Sequence, residues 1–373
     1  MVNFTSNTYQ MKREILSFSN KISRNLPKPE RKFIADMNYG ILSSGSCILT
    51  DIVDQLQEPS RKINIVDRLS RHLAKGTPKE ALKAYLAQAK KWCPDQPVIH
   101  IDDSDVVKPD GYKFESLGWV RDGSGSTAAK NVYKKGYHVT EATVLTGSNH
   151  PVSIFSEIHS SKEKNFTSIN DVTFSAMERA KALFGKAAFV MDRGYDDNKM
   201  FLKLDSMGQD YVIRLTAKRK LLYHNKWVFL VYGITEHPMM LATNKEIQSK
   251  DDVIKAAKLY FSRWKIEEYF RCKKQVFQLE NFRVRKLKAI NALNFYITLC
   301  MAFLGRISMK SETNMLKVAI IRTADPIKGK IAFCYYRLAK GIPGILSYAK
   351  EGIKRWFRTR RPAYRQLCLK LAV

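Results

Sequence analysis

The spacing of apolar residues changes near residue 95 of this chain of 373 residues. Before that point apolar positions recur at the intervals of amphipathic helices, interrupted by prolines at positions 27, 29, 59 and 78. The pattern predicts helices over Phe33 to Gly40, Ser46 to Gln55, Ile65 to Ala74 and Lys79 to Trp92. We therefore expect a helical N-terminal domain over residues 1–95. Short helices with polar turns suit a DNA-binding domain, and a plain helical packing domain is the alternative.

Beyond Trp92 the pattern becomes that of β-strands. The apolar run Pro97 to Ile101 stops at Asp102-Asp103-Ser104-Asp105, and the run Ala187 to Met191 stops at Asp192. Both strands are expected to end there and to deliver acids to the edge of a sheet. A hairpin is predicted over His138 to Leu145 and Val152 to Ile158. A helix is predicted over about Ile169 to Phe184, and a further strand over Tyr211 to Leu215. This order describes an α/β fold, a ribonuclease-H-like mixed sheet.

A β-rich insertion is expected at about residues 216–245, where Lys226 to Tyr232 and Met239 to Ala242 favour strands. A long helix should follow, because Ser249 and Asp252 have the spacing of a capping box. The expected organisation is thus a catalytic domain over residues 96–305, followed by a basic helical C-terminal region over residues 306–373.

One arc of this long helix carries side chains suited to holding phosphate or metal. At ~100° per residue the arc is roughly 60° wide, and it carries Tyr260, Arg263, Glu267 and Lys274. The neighbouring arc is apolar, with Leu259, Ile266, Phe270 and Phe277. The helix can therefore bury one face and direct Glu267 into a cleft. The alternative is an ordinary amphipathic helix with an i,i+4 pair between Arg263 and Glu267.

The net charge indicates a polyanionic partner. The chain has 64 Lys+Arg against 35 Asp+Glu, a formal charge of +29 and a pI near 9.8, so nucleic acid is the first candidate. Residues 283–373 alone hold 20 Lys+Arg and 3 Asp+Glu. Within them the cations Lys354, Arg355 and Arg358 alternate with aromatic residues, which suits contact with phosphates and stacking on bases. A solvated basic tail is the alternative.

An anionic membrane surface is the competing partner, and we expect no membrane binding. No stretch reaches the ~20 apolar residues that a spanning helix needs, and the best run, Ile290 to Ile307, contains Asn291, Asn294 and Arg306. That run is better explained as a buried helix. The six cysteines show no CxxC pairing, which argues against a zinc site and for a reducing compartment. The expected location is the bacterial cytoplasm, at the nucleoid.

Two acids at strand ends and one on a helix are what two-metal phosphoryl transfer requires. Carboxylates that share a cleft repel one another unless cations lie between them. Mg²⁺ prefers oxygen ligands, and a pair of such ions can activate a nucleophile and stabilise the leaving oxygen of a phosphodiester. The proposed catalytic and metal-binding triad is Asp102, Asp192 and Glu267.

The motif Tyr260-x2-Arg263-x3-Glu267-x6-Lys274 resembles in full the Tyr-Arg-Glu-Lys signature of the insertion-sequence DDE transposases of the IS-four family. Asp192-Arg193-Gly194-Tyr195 resembles that family's second-acid motif, and the segment from Asp102 to Pro109 resembles its first. The resemblance covers about residues 95–305. A β-rich insertion between the second acid and the glutamate agrees with it.

The resemblance implies a transposase that cuts at the terminal inverted repeats of a mobile element and joins the 3′ ends to target DNA. It implies Mg²⁺, with Mn²⁺ as a substitute, and double-stranded DNA as partner, both as element ends and as target. A homodimer on DNA and a hairpin on the flanking strand are further expectations. The alternatives are a metal-dependent structure-specific nuclease and a catalytically idle DNA-binding derivative.

The resemblance also assigns roles to residues. Asp192 and Glu267 carry over as metal ligands, and the first ligand is Asp102, or Asp103 if the strand runs one residue longer. Contacts to DNA phosphate near the scissile bond carry over to Tyr260, Arg263 and Lys274.

Other side chains are candidates for DNA contact with weaker support from the motifs. They are Arg193, Arg271 and Trp264, and for Trp264 the alternative is packing against the insertion. Trp227 is expected to be a packed residue of the insertion hairpin. The alternative, which the resemblance implies, is that Trp227 holds a base flipped out of the DNA.

Overall fold

Five helices form the N-terminal part of the chain. The computed structural model describes residues 4–123, 125–127, 130–219, 226–234, 237–324, 333–349 and 351–353. The helices are α1 (Phe4–Ser23), α2 (Lys28–Ser44), α3 (Leu49–Leu56), α4 (Lys62–Ala74) and α5 (Lys79–Lys90). The last four correspond to the four predicted stretches, which are therefore confirmed, whereas the sequence pattern did not predict α1.

Proline and glycine set the ends of these helices. Pro27 and Pro78 stand directly before α2 and α5, where a missing backbone N–H costs no helical hydrogen bond. Gly45 ends α2 in the left-handed conformation, with φ of 65°, and donates its N–H to the carbonyl of Ile41. A residue with a side chain would be strained there, so the glycine fixes the end of α2.

Eight strands form one sheet in the part of the chain that the structure describes. They are β1 (Val98–Val107), β2 (Gly118–Arg121), β3 (Tyr133–Leu145), β4 (Pro151–His159), β5 (Ala188–Met191), β6 (Asp210–Arg214), β7 (Trp227–Val231) and β8 (Met239–Thr243). The order is β2-β3-β1-β5-β6-β8-β7, and β4 also pairs with β3. Strands β1, β5 and β6 run parallel, and the other pairs are antiparallel.

Helices cover both faces of the sheet. Ile99, Ile101 and Phe189 pack on one face with α6 (Ile169–Phe184) and α7 (Asn198–Ser206). Val190 and Val212 point to the opposite face and pack with α8 (Lys250–Phe261), as the period of two along a strand requires. This arrangement is the predicted ribonuclease-H-like α/β fold. Strands β7 and β8 confirm the predicted strands of the insertion, and they extend the central sheet beyond β6.

The largest hydrophobic cluster joins the N-terminal helices to helices that follow the sheet. These later helices are α9 (Trp264–Gln275), α10 (Leu287–Ser308), α11 (Met315–Thr323) and α12 (Tyr335–Leu346). Phe33 of α2 meets Tyr296 of α10 with ring centroids 5.1 Å apart. Residues 1–95 therefore share a core with α10, and the proposed domain boundaries remain predictions.

Helix α10 confirms the predicted buried helix. Among the described helices it alone is long and apolar enough to cross a membrane by length and composition, but 89% of its most apolar window is buried inside the protein. It packs on β4 and on the N-terminal helices α2 and α4.

Two details of the predicted elements are wrong. Strand β1 does not end at Asp102 but continues to Val107, because the acidic segment pairs along its whole length with β3, from Ile99 opposite Val144 to Val107 opposite Gly136. The expected single long helix is two helices, since α8 ends at Phe261 and α9 begins at Trp264. Phe277 lies beyond the end of α9.

Candidate active site

The register of two parallel strands brings Asp102 and Asp192 together. The ladder between β1 and β5 runs from Val98 opposite Ala188 to His100 opposite Val190. Each acid lies two residues beyond that last pair. Because side chains alternate along a strand, both carboxylates lie on the face of the sheet where α8 packs. Consistent with this, the charge of Asp192 raises the pKa of Asp102.

The turn after β5 fixes the carboxylate of Asp192. Its Oδ1 accepts the N–H of Gly194 at 2.7 Å, and this bond caps a short 3₁₀ turn over Arg193–Tyr195. A Cβ on Gly194 would lie 2.9 Å from the same oxygen, so a larger residue would displace the carboxylate of Asp192. The Asp-x-Gly pattern of the motif thus has a local structural cause.

Arg263 connects the first acid to the glutamate. Its Nη1 lies 3.0 Å from Oδ2 of Asp102, and its Nη2 contacts Oε1 of Glu267. Glu267 stands in the first turn of α9, where the helix dipole favours a negative charge, and 49% of its side chain is exposed. One guanidinium therefore neutralises two carboxylates that come from different elements.

The interruption between α8 and α9 orients this arginine. The N–H of Arg263 donates to the carbonyl of Tyr260 at 3.0 Å, a bond of the tighter i to i−3 kind. Ser262 Oγ lies 2.8 Å from Nε2 of His100, which ties the interruption to β1 beside Asp102. Burial, with the charges of Lys265 and Arg263, lowers the pKa of His100 to about 3. His100 is therefore neutral at physiological pH, and its contact with Ser262 is buried.

Burial and neighbouring acids make the Asp102 carboxylate costly to ionise. Burial raises its pKa most, the charges of Asp192 and Asp103 add to that effect, and Arg263 opposes it, so that the pKa is about 7. Such a site demands cations. Three carboxylates also form a donor set of hard oxygens, which is the chemistry of Mg²⁺ and similar ions.

The donor set thus fits a divalent metal ion in chemistry, although the acids are not gathered into a closed cluster. Within the described ranges no group of three or more His, Cys, Asp and Glu residues is arranged to hold a metal ion. Between Asp102 and Glu267 the positive charge is that of Arg263.

Asp103 points away from this site. Its Oδ1 accepts a hydrogen bond from Thr140, and its Oδ2 accepts the hydroxyl of Tyr195 at 2.9 Å. Thr140 in turn lies 2.9 Å from Nε2 of His159. Both oxygens of Asp103 are thus engaged on the opposite face of β1, and the geometry favours Asp102 as the acid that acts with Glu267. Sequence reasoning missed this network, because Asp103, Thr140, His159 and Tyr195 come from separate segments of the chain.

The residues of the signature do not share one exposed stripe. Tyr260 is buried in the cluster between α8 and the sheet. Lys274, in the last turn of α9, pairs with Glu280 at 3.4 Å. The prediction that all four residues lie on a single helix is wrong, because the α-helical hydrogen bonds are interrupted between Phe261 and Trp264. Their contacts with DNA stay predictions.

The other proposed DNA contacts differ in exposure. Arg193 is exposed beside Asp192, and Arg271 is exposed and pairs with Glu268 at 2.7 Å. Trp264 is partly exposed and meets the ring of Phe333 in the C-terminal region, not the insertion. Lys354, Arg355 and Arg358 lie outside the described residues.

Trp227 corrects another expectation. It lies on β7, the last strand of the sheet order, and 48% of it is exposed. The prediction of a packed hairpin residue is therefore wrong, and the holding of a flipped base stays a prediction.

A ribonuclease-H-like sheet with two neighbouring acids, faced by a helix glutamate, defines the class of enzymes that transfer phosphoryl groups of nucleic acids. The family model described as the transposase DDE domain matches residues 94–303, more than half of the chain, and the chain belongs to that family. It is a DNA transposase of the DDE type. Domains of this family generally use divalent metal ions.

No curated protein matches the chain. One similar solved structure is the cryo-EM structure of a piggyBac transposase synaptic complex with hairpin DNA. It has a TM-score of 0.49 and 10% sequence identity, over 94% of this chain and 81% of that chain.

Proposed function

We propose that Asp102, Asp192 and Glu267 are the acids with which this transposase cuts the terminal inverted repeats of a mobile element and joins the 3′ ends to target DNA. The observation that supports this most is the shared guanidinium of Arg263 between Asp102 and Glu267. The register of β1 and β5, which leads to Asp192 on the same face, supports it further.

The three acids would hold Mg²⁺, for which Mn²⁺ would substitute. When bound, such ions activate the attacking oxygen and stabilise the leaving oxygen of a phosphodiester. The acids contribute negative charge that a divalent cation offsets, as Arg263 does here. The guanidinium of Arg263 is also suited to a phosphate oxygen, because its fork of donors matches that geometry.

The Tyr260-x2-Arg263-x3-Glu267-x6-Lys274 motif supports assignment to the IS-four family. Double-stranded DNA is the proposed partner, and a homodimer that holds two element ends follows from the same assignment. The net charge of +29 supports a polyanionic partner. We place the protein in the bacterial cytoplasm, at the nucleoid.

The test uses labelled element ends with Mg²⁺ and compares the unmodified chain with Glu267→Gln and Asp192→Asn. Each variant should lose cleavage by a factor on the order of a thousand or more, because each removes an oxygen ligand. Glu268→Gln is the matched control, since Glu268 lies on the same helix but pairs with Arg271. Unchanged cleavage by both variants would refute the site.

The same reactions distinguish a transposase from a nuclease. Addition of a supercoiled target plasmid should give products in which the labelled 3′ end is joined to the target. Cleavage without any joined product would support the structure-specific nuclease. The absence of both cleaved and joined products would support an idle derivative.

A further inference from the structure

The backbone hydrogen bonds between β1 and β5 stop before they reach the two acids. The last pair of this ladder is His100 opposite Val190, and Asp102 and Asp192 each lie two residues farther along the chain. Beyond that pair β1 continues along β3, whereas β5 ends at Met191 and turns away. The separation of the two carboxylates therefore depends on contacts other than the ladder.

The acids that follow in the turn after β5 hold it to elements other than β1. Oδ2 of Asp196 accepts the N–H of Thr216 at 2.7 Å and the hydroxyl of Thr216 at 2.9 Å, just beyond β6. Oδ2 of Asp197 accepts a hydrogen bond from Nδ2 of Asn170, on α6, at 3.1 Å. These contacts fix the turn relative to β6 and α6, and they do not involve β1.

Tyr195 supplies the contact between this turn and β1. Its hydroxyl donates to Oδ2 of Asp103 at 2.9 Å, and in the part of the chain that the structure describes this is the one side-chain hydrogen bond between the turn and β1. The tyrosine is 6% exposed and belongs to the hydrophobic cluster of Ile101 and Met191. Little water competes for a hydrogen bond in such surroundings, which strengthens it.

The acceptor of this bond is itself held in place. Thr140 of β3 donates to the other oxygen of Asp103, and the hydroxyl of Thr140 lies 2.9 Å from Nε2 of His159 on β4. The ring of His159 stacks on Phe166 with centroids 5.9 Å apart. Asp103 is thus fixed by contacts that extend over three strands, and its bond to Tyr195 fixes the turn relative to those strands.

We infer that Tyr195 is a positioning residue that sets the separation of Asp102 and Asp192 for a divalent metal ion, which rests on the proposed function for the role of these acids as ligands. Asp103 adjoins Asp102, and Tyr195 follows Asp192 by three residues. The bond joins, on one face of the sheet, the two segments whose acids lie on the other face. Groups that orient metal ligands typically contribute about 10- to 100-fold to metal affinity. The tyrosine of the Asp192-Arg193-Gly194-Tyr195 motif thereby gains a role of its own.

The test is Tyr195→Phe, which removes the hydroxyl and keeps the ring in its cluster. Binding of Mn²⁺ is measured by the electron paramagnetic resonance signal of the free ion, with the protein bound to a pre-cleaved element end that lacks the 3′-hydroxyl and cannot react. The Kd for Mn²⁺ should rise about tenfold or more, whereas the affinity for the DNA should not change. Cleavage of intact ends should fall at low Mn²⁺ and recover at saturating Mn²⁺.

Tyr85→Phe is the matched control. The buried hydroxyl of Tyr85, on α5, donates to the carbonyl of Ser153, so the same atom is removed from a buried hydrogen bond elsewhere in the protein. This variant should bind Mn²⁺ like the unmodified protein, and thermal unfolding of both variants establishes that they are folded. Asp192→Asn, measured in the same way, should lose most of its affinity for Mn²⁺ because it removes a proposed ligand.

The outcomes separate failure of the inference from failure of the proposed function. Weakened Mn²⁺ binding by Asp192→Asn, with unchanged binding by Tyr195→Phe or equal losses in Tyr195→Phe and Tyr85→Phe, would overturn the inference alone. Unchanged binding by Asp192→Asn would refute the ligand assignment, and the inference with it. Asp103→Ala completes a double-mutant cycle: addition of Tyr195→Phe should cause no further loss, because the acceptor is already absent. Additive losses would overturn the inference, since the hydroxyl would then act through another contact.

Discussion

At the residue level the site depends on how Arg263 balances two acids. Asp102 and Glu267 come from β1 and α9, and each contacts a different nitrogen of the same guanidinium. A lysine could not form both contacts in this geometry, because its charge is concentrated on one atom. The arginine of the motif is thus an electrostatic component of the acidic site as well as a candidate for phosphate contact.

The two adjacent aspartates can be distinguished by substitution. Asp102→Asn should abolish DNA cleavage, because it removes the acid that faces Arg263 and Glu267. Asp103→Asn should cleave at a rate within about tenfold of the unmodified protein. Its side chain accepts hydrogen bonds from Tyr195 and Thr140 on the other face and so affects only the position of the strand. Single-turnover cleavage rates, with thermal unfolding to verify folding, measure the difference. A larger loss in Asp103→Asn than in Asp102→Asn would assign the first ligand to Asp103.

The sequence motifs identified the candidate acids, but they left the first one ambiguous. Adjacent residues of a strand point to opposite faces, and only the packing of α9 on one face makes Asp102 the partner of Glu267. The hydrogen bond between His100 and Ser262 could not be predicted from the sequence either, because 162 residues separate the two.

At the level of elements, periodicity predicted the helices and strands better than it predicted their ends. Strand β1 continues through an acidic segment with poor strand propensity because pairing with β3 outweighs propensity. The interruption after α8 was not visible either, because Ser262 and Arg263 keep helical dihedral angles and only the hydrogen bonds change.

Helix α9 is anchored by a completely buried ion pair. Lys273 Nζ lies 2.9 Å from Oε2 of Glu141, and neither side chain is exposed. Ser156 also donates to that carboxylate, and Thr298 accepts from the ammonium. Glu141 is the residue opposite Asp102 in the β1–β3 ladder, so the pair connects the helix of Glu267 to the strand next to the first acid.

Loss of one partner of this pair should be costly. Lys273→Met leaves an unpaired buried carboxylate and should lower the free energy of unfolding by about 3 to 5 kcal/mol. The neighbouring Lys274→Met, which breaks a partly exposed pair with Glu280, should cost about 1 kcal/mol or less. Urea denaturation measures both, and a Lys273→Met/Glu141→Leu double variant should recover most of the loss. Equal costs for the two single variants would contradict the anchoring role.

A second cluster ties α2 to α4 through Glu58. Arg68 contacts both oxygens of Glu58 at 2.9 Å, and Lys32 contacts one at 2.7 Å. Burial alone would raise the pKa of Glu58, but the hydrogen bonds and charges of Arg68 and Lys32 lower it from 4.5 to about 2. Its ionised form therefore stabilises the fold above the ordinary pKa, and this contribution is lost as the pH falls from about 4.5 towards 2.

This contribution should appear in thermal unfolding. Glu58→Gln should lower the stability on the order of 1 to 3 kcal/mol at neutral pH, and the difference from the unmodified protein should shrink as the pH is lowered below about 4.5. Asp54→Asn is the control, since its pair with Lys62 is half exposed and should contribute about 1 kcal/mol or less. A difference that grows on acidification would contradict the assignment.

At the level of the whole molecule, the sequence predicted a basic nucleic-acid enzyme but not its assembly. Periodicity shows which face of a helix is apolar and not what covers it, so the common core of the N-terminal helices and α10 could not be foreseen. The fold and the motif residues were predictable because they depend on local pattern, and the contacts between distant segments were not.

The central claim is that Asp102 and Asp192 are direct ligands of one divalent-metal site. It is tested most directly by metal rescue of Asp102→Cys and Asp192→Cys in the cleavage of element ends, with Asp103→Cys as the control. Thiolate is a soft ligand that binds Mg²⁺ poorly and Mn²⁺ better. Both site variants should therefore be inactive with Mg²⁺ and regain cleavage with Mn²⁺, whereas the control should show no such preference. Equal cleavage with the two metals by Asp102→Cys and Asp192→Cys, or rescue by Mn²⁺ of Asp103→Cys alone, would contradict the account.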